Sequence, residues 1–223
     1  MATTISSGRA SSPKLTANIA DHGTIYGGRG LIFDGVTDHL TGSIPTSYNA
    51  LTNWSISWWS KAVAYGDYER IMVFDGGGTR VGYRTTGKIT FWFDNANNID
   101  FTGTAQSTGV WYHNVITFDK ASTTVKHYLN GALDYTKTDV TDTTLDAGGT
   151  YVVGAFSAGT LLFEGTISDI KVFNTTLTEA HAQELYLKPE QSSPSSVSDN
   201  IFFWLPMCEG NPDSPQSIVY DHS

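Results

Sequence analysis

Between Leu31 and Phe173 the apolar residues fall in short runs separated by Gly, Asn and Asp. That is the punctuation of a many-stranded antiparallel sandwich. Runs rich in β-branched and aromatic residues predict strands near 31–34, 54–63, 69–75, 79–84, 88–94, 110–119, 123–129, 150–155 and 161–173. In the second of these, Trp54, Ile56 and Trp58 share one face while Ser55, Ser57 and Trp59 share the other, so both faces can be covered. Asn130-Gly131 lies between the apolar pairs Tyr128-Leu129 and Ala132-Leu133. It predicts a tight hairpin, because a type I′ turn needs positive φ at both central positions. One helix is predicted, capped by Thr178, with Leu177 as staple and good helix formers from Glu179 onward.

The same pattern divides the chain. Residues 1–28, rich in Ser, Thr, Ala and Gly, read as an extended arm, and 29–188 as the sandwich. Residues 189–199, rich in Ser and Pro, read as a linker, and 200–223 as a further strand segment. A length of 223 residues suits one such domain with tails. Charged residues make up 16%, below the usual ~25%, which favours a neutral surface of strands and turns. A net charge of −9 argues against nucleic acid and against an anionic membrane surface, since either partner needs a basic face. No run of apolar residues is long enough to span a bilayer, and the first residues lack the apolar core of a secretory signal. A soluble chain made without export is expected. Cys208 is the only cysteine, so no intrachain disulfide can form, and it reads as an ordinary small apolar residue.

Five segments in order carry a family resemblance: Leu31-Ile32-Phe33-Asp34-Gly35, Trp54-Ser55-Ile56-Ser57-Trp58-Trp59, Trp111-Tyr112-His113-Asn114-Val115, Lys126-His127-Tyr128-Leu129-Asn130-Gly131, and Phe163-Glu164-Gly165-Thr166-Ile167-Ser168-Asp169. Together they resemble successive strands of laminin G-like, concanavalin A-like jelly-roll domains across about residues 30–188. The resemblance implies an all-β fold of two antiparallel sheets with one short helix. One segment is displaced. The stretch Trp204-Leu205-Pro206-Met207-Cys208-Glu209-Gly210, followed by Ile218-Val219-Tyr220-Asp221, resembles what usually opens the domain. Such a tail can close its own sandwich, donate a strand to a neighbouring subunit, or begin a second repeat.

Domains of this kind in long, disulfide-free, unexported chains resemble those of bacteriophage virion proteins. The leading expectation is therefore a non-catalytic virion structural protein, a capsid decoration or fibre subunit made in the host cytoplasm. It would form a homo-oligomer and contact other virion proteins through Phe202, Phe203, Trp204 and Leu205. The alternative is a lectin-like module that binds cell-surface glycan, with Trp59, Trp92, Tyr65, Tyr68, Asn95 and Asn97 as candidate contacts. A glycoside hydrolase is a remote third reading: Asp67 and Glu69 come closest to a carboxylate pair, but they sit beside Gly66 in an expected loop. The histidines are scattered, with neither a nucleophile elbow nor zinc spacing beside them. The family resemblance also implies a structural calcium, for which Asp169 is the first candidate ligand and Asp34 the second.

Overall fold

The computed structural model describes residues 2–5, 9–11, 30–74, 78–92, 98–141, 145, 147–157, 159–189, 191–207 and 218–222. The first sheet runs, from edge to edge, β16 (Ile218–Tyr220), β1 (Ala2–Ile5), β4 (Leu40–Ile44), β13 (Gly149–Val153), β6 (Glu69–Phe74), β7 (Thr79–Tyr83), β8 (Ile89–Trp92) and β9 (Asn98–Asp100). The second runs β12 (Ala132–Lys137), β11 (Thr124–Leu129), β10 (Tyr112–Asp119), β5 (Trp54–Ala62), β14 (Glu164–Phe173), β3 (Gly30–Asp34) and β2 (Arg9–Ser11), with β15 (Ile201–Leu205) also paired to β14. This is the two-sheet jelly roll expected from the sequence.

Side chains alternate as a pleated strand requires. Trp54, Ile56 and Trp58 of β5 enter the core between the sheets together with Phe33, Phe91 and Phe118. Ser55, Ser57 and Trp59 face outward, beneath the helix α1 (Glu179–Leu187). The Ser55 hydroxyl accepts from the Leu177 N–H at 2.8 Å. Leu177, Ala182 and Leu185 close a smaller apolar cluster with Val115, Tyr128 and Phe173. Thr178 caps α1 as expected, its hydroxyl accepting from the His181 N–H while the His181 ring accepts from the Thr178 N–H. The Asn130-Gly131 turn joins β11 to β12 with φ of 51° and 82°, the positive pair that a type I′ hairpin needs.

Both termini are drawn into the sheets. Residues 2–5 and 9–11 are strands, whereas composition alone read an arm over 1–28. β1 lies between β4 and β16, and β2 borders β3. An open edge is satisfied by backbone N–H and C=O groups, and a Thr- and Ser-rich segment supplies these without any apolar periodicity. β14 changes partner along its length: Glu164–Ile167 pair with β3, and Ile170–Phe173 pair with β15. Asp169, at φ 54°, marks the irregularity between the two halves. The C-terminal strand β15 pairs with β14 of the same chain. Cys208 lies outside the described residues.

Candidate functional site

On β7 the sequence Arg80-Val81-Gly82-Tyr83-Arg84 alternates, sending Val81 and Tyr83 into the core and Arg80, Gly82 and Arg84 to the outer face. Register sets Arg70 of β6 opposite Gly82, and Trp92 of β8 opposite Arg80. Arg70 leans across Gly82, and its guanidinium carbon lies 4.0 Å from the centroid of the Trp92 ring. Glycine is required there. A Cβ on residue 82 would collide with the Glu69 carbonyl oxygen and crowd Arg70 Nη1. Tyr68 completes the cluster, 5.5 Å from Trp92 between centroids, with Arg84 stacked over it at 4.0 Å. Phe156 approaches Arg80 at 5.4 Å from the adjoining loop.

The electrostatics of this face are unbalanced. Arg84 faces Asp67 at 3.5 Å and Asp100 at 3.9 Å. Arg70 makes no ion pair among the described residues, is 3% exposed, and keeps Nε and Nη1 without a hydrogen-bond acceptor. Burial, reinforced by the charge of Arg80, brings its guanidinium down to about 10. Groups of this kind favour a negative ligand, because a desolvated cation without a partner is costly to leave alone.

A cleft of about 220 Å³ opens on the other sheet, beside the start of α1. Its walls include Asp119, Thr124, Lys126, Tyr128, Leu133 and Glu179. It offers hydroxyls and charges of both signs, but no pair of exposed rings.

The candidate residues from the sequence separate cleanly. Trp92 and Tyr68 come together on the arginine-bearing face. Trp59 lies on the second sheet, packed against His113 at 5.0 Å and Tyr186 at 5.6 Å under α1, so it is a packing residue. Tyr65 packs on Tyr83 of the core at 4.9 Å. Asn95 and Asn97 lie outside the described residues. Arg70, Arg80 and Arg84 were not singled out from sequence, although the alternation of 80, 82 and 84 on one strand is visible there.

The proposed calcium ligands are otherwise engaged. Asp169 is buried with Lys171 Nζ donating to one oxygen at 2.6 Å and the Trp204 indole N–H donating to the other at 2.7 Å. Lys171 also donates to the Gln191 carbonyl at 2.9 Å, which fastens the segment read as a linker over β14. Asp169 is thus half of a buried ion pair, with both of its oxygens engaged. Burial pushes its carboxyl up, against the pull of Lys171 and Trp204. Asp34 caps its own turn, accepting from the N–H groups of Val36, Thr37 and Asp38. Those bonds outweigh the opposing effect of burial and hold its carboxyl at about 2. No group of three or more His, Cys, Asp or Glu suited to a metal occurs among the described residues.

The tail residues expected to mediate assembly pack against described residues of the same chain. Phe202 stacks on Tyr48 at 4.1 Å, Phe203 meets Tyr151 edge-on at 4.9 Å, and Leu205 is fully buried. Trp204 binds Asp169.

The fold and its outer face define a class: a two-sheet jelly roll that gathers Trp92, Arg70 and Arg80, all largely buried, beneath half-buried Tyr68 and Arg84 on one sheet. The chain belongs to the concanavalin A-like lectin/glucanases superfamily, whose model matches residues 34–183. Its architecture is similar to that of a Bacteroides ovatus protein assigned to carbohydrate binding, at a TM-score of 0.64 and 15% identity over 100% of this chain and 56% of that one. It is also similar to domain 4 of the arabinanase AbnA from Geobacillus stearothermophilus, in complex with arabinotriose (TM-score 0.61, 17% identity, 82% of this chain and 87% of that one). A pentraxin from Limulus polyphemus is a third (TM-score 0.60, 17% identity, 86% and 94%). No curated protein shows a significant match to the sequence. The virion role expected from sequence is overturned: the structural neighbours include carbohydrate-binding domains and toxin binding domains, and the tail that motivated the role is used internally. No described helix is long and apolar enough to cross a membrane.

Proposed function

We propose that this chain is a non-catalytic carbohydrate-binding module whose site is the outer face of β6, β7 and β8. The observation that carries the reading is the gathering of Tyr68, Trp92 and three arginines on a sheet face over which no described helix packs. Aromatic faces accept the apolar side of a sugar ring, and the fixed forks of arginine donate to its oxygens and orient them. The structural neighbours support the same class, since two of them are carbohydrate-binding by their own description. The carboxylate pair that the sequence offered for catalysis is otherwise placed: Asp67 is held by Arg84, while Glu69 sits opposite core-facing Tyr83. Burial raises Glu69 to about 7.

The test is a glycan array followed by titration calorimetry on the full chain and on Tyr68→Ala, a half-buried ring whose loss spares the core. Saturable binding to at least one glycan, weakened about tenfold or more by Tyr68→Ala at unchanged melting temperature, is expected. Lys126→Ala in the cleft beside α1 is the control. A loss there, with Tyr68→Ala silent, would remove the site from the arginine face.

A further inference from the structure

The surroundings of Arg70 narrow the ligand class on the face just proposed, and the inference rests on that carbohydrate-binding reading. The chain carries a net charge of −9, yet three of its five arginines, Arg70, Arg80 and Arg84, meet on this one face. Arg84 has two carboxylates to answer it; Arg70, almost fully buried, has none among the described residues. Two nitrogens of the Arg70 guanidinium lack an acceptor, and the cation is pinned against Trp92 by the missing side chain of Gly82. Neutral hydroxyls would leave that charge uncompensated, whereas a carboxylate supplies two acceptor oxygens in a plane matched to the guanidinium.

We propose that the ligand is a saccharide bearing a carboxylate, a sugar acid whose ring stacks on half-buried Tyr68 while its carboxylate reaches Arg70 between Arg80 and Arg84. The carboxylate compensates a charge that the fold leaves unmatched, and the ring contacts supply the rest of the recognition.

The experiment is titration of the full chain with three probes: an oligogalacturonate, its carboxyl-reduced neutral counterpart, and a sulfated oligosaccharide, with sialyllactose and lactose as a second acidic and neutral pair. At least one acidic member should bind about tenfold or more tighter than its neutral counterpart, with the difference shrinking as salt rises. Arg70→Gln should collapse that ratio. If Arg70→Gln fails to fold, Arg84→Gln, whose side chain is 28% exposed, should reduce the ratio in a folded protein. Equal binding of acidic and neutral members overturns the sugar-acid inference and leaves the carbohydrate-binding function standing. Preference for the sulfated probe over every carboxylate overturns it as well. Binding of no saccharide at all removes the function and this inference together.

Discussion

Each sheet of this fold buries a cation against tryptophan, and one from each sheet makes the comparison. Lys171 lies 5.6 Å from the Trp204 ring, and Arg70 lies 4.0 Å from that of Trp92. Lys171 is answered in full by the Asp169 carboxylate and the Gln191 carbonyl. Arg70 is answered by ring faces and by no carboxylate among the described residues. The first arrangement closes on itself and ties together β14, β15 and the 188–193 segment. The second leaves two buried donors without acceptors on the outer side of its sheet. The contrast teaches that burial of charge alone does not mark a site; what marks it is burial without internal compensation.

The largest effect should come from breaking the closed pair. Asp169→Ala strands Lys171 in the interior and frees the Trp204 indole N–H, so it should cost about 3–5 kcal/mol in urea unfolding. The double replacement of Asp169 by Leu and Lys171 by Met removes both charges and should recover most of that loss. A single variant with near-native stability would mean that the pair does not hold β15 in place, and the comparison would lose its structural half.

Much of this was legible in the sequence because local chemistry decided it. The Asn130-Gly131 turn, the Thr178 cap and the alternation in 54–63 each involve neighbours in the chain, and the structure repeats them. What could not be read depends on pairing across strands. Asp169 was a candidate calcium ligand by resemblance, and its place between Lys171 and Trp204 depends on the left-handed backbone at the partner change of β14. Trp59 and Trp92 are equally aromatic in sequence and both are buried, and only the fold shows that Trp59 lies under α1 while Trp92 lies against Arg70 and Tyr68 on the other sheet. The Arg70 cluster likewise arises from register, since Gly82 and Trp92 belong to two other strands.

A smaller effect sharpens the same half of the comparison through pH. His113 is 1% exposed, and its ring is held at about 3 by burial, reinforced by the charge of Lys171 and by His127. In the unfolded chain a histidine titrates near 6.5. Between those values the unfolded state binds a proton that the folded state refuses, so stability is present above the unfolded pKa and falls as pH drops through the window. The loss attributable to His113 should be about 2 kcal/mol at pH 5. His113→Gln, which preserves a partner for the Ser57 hydroxyl at 2.9 Å, should flatten the dependence of the urea midpoint between pH 7 and pH 5. Some slope should persist, because burial lowers His127 in the same direction. An unchanged slope would mean that the Lys171 neighbourhood is open enough to water for His113 to charge.

The smallest effect on stability should fall on the cation that looks most exceptional. Replacing Arg70 by Met removes a cation–π contact of about 0.5–2 kcal/mol. It also removes a desolvated charge, its repulsion with Arg80, and two donors without acceptors, each of which opposes folding. These contributions have opposite sign and similar size, and Met can fill the volume above Gly82 with a flexible apolar chain. The net change should be within about 1 kcal/mol of zero in a thermal melt, several-fold less than for Asp169→Ala. A loss as large as that of Asp169→Ala would make Arg70 a structural cation like Lys171, and the outward-directed half of the comparison would fail. A near-zero change, with ligand-induced stabilisation present in the native chain and missing in the variant, would place Arg70 in recognition, because a group that contributes little to the empty fold can still gain a partner when ligand arrives.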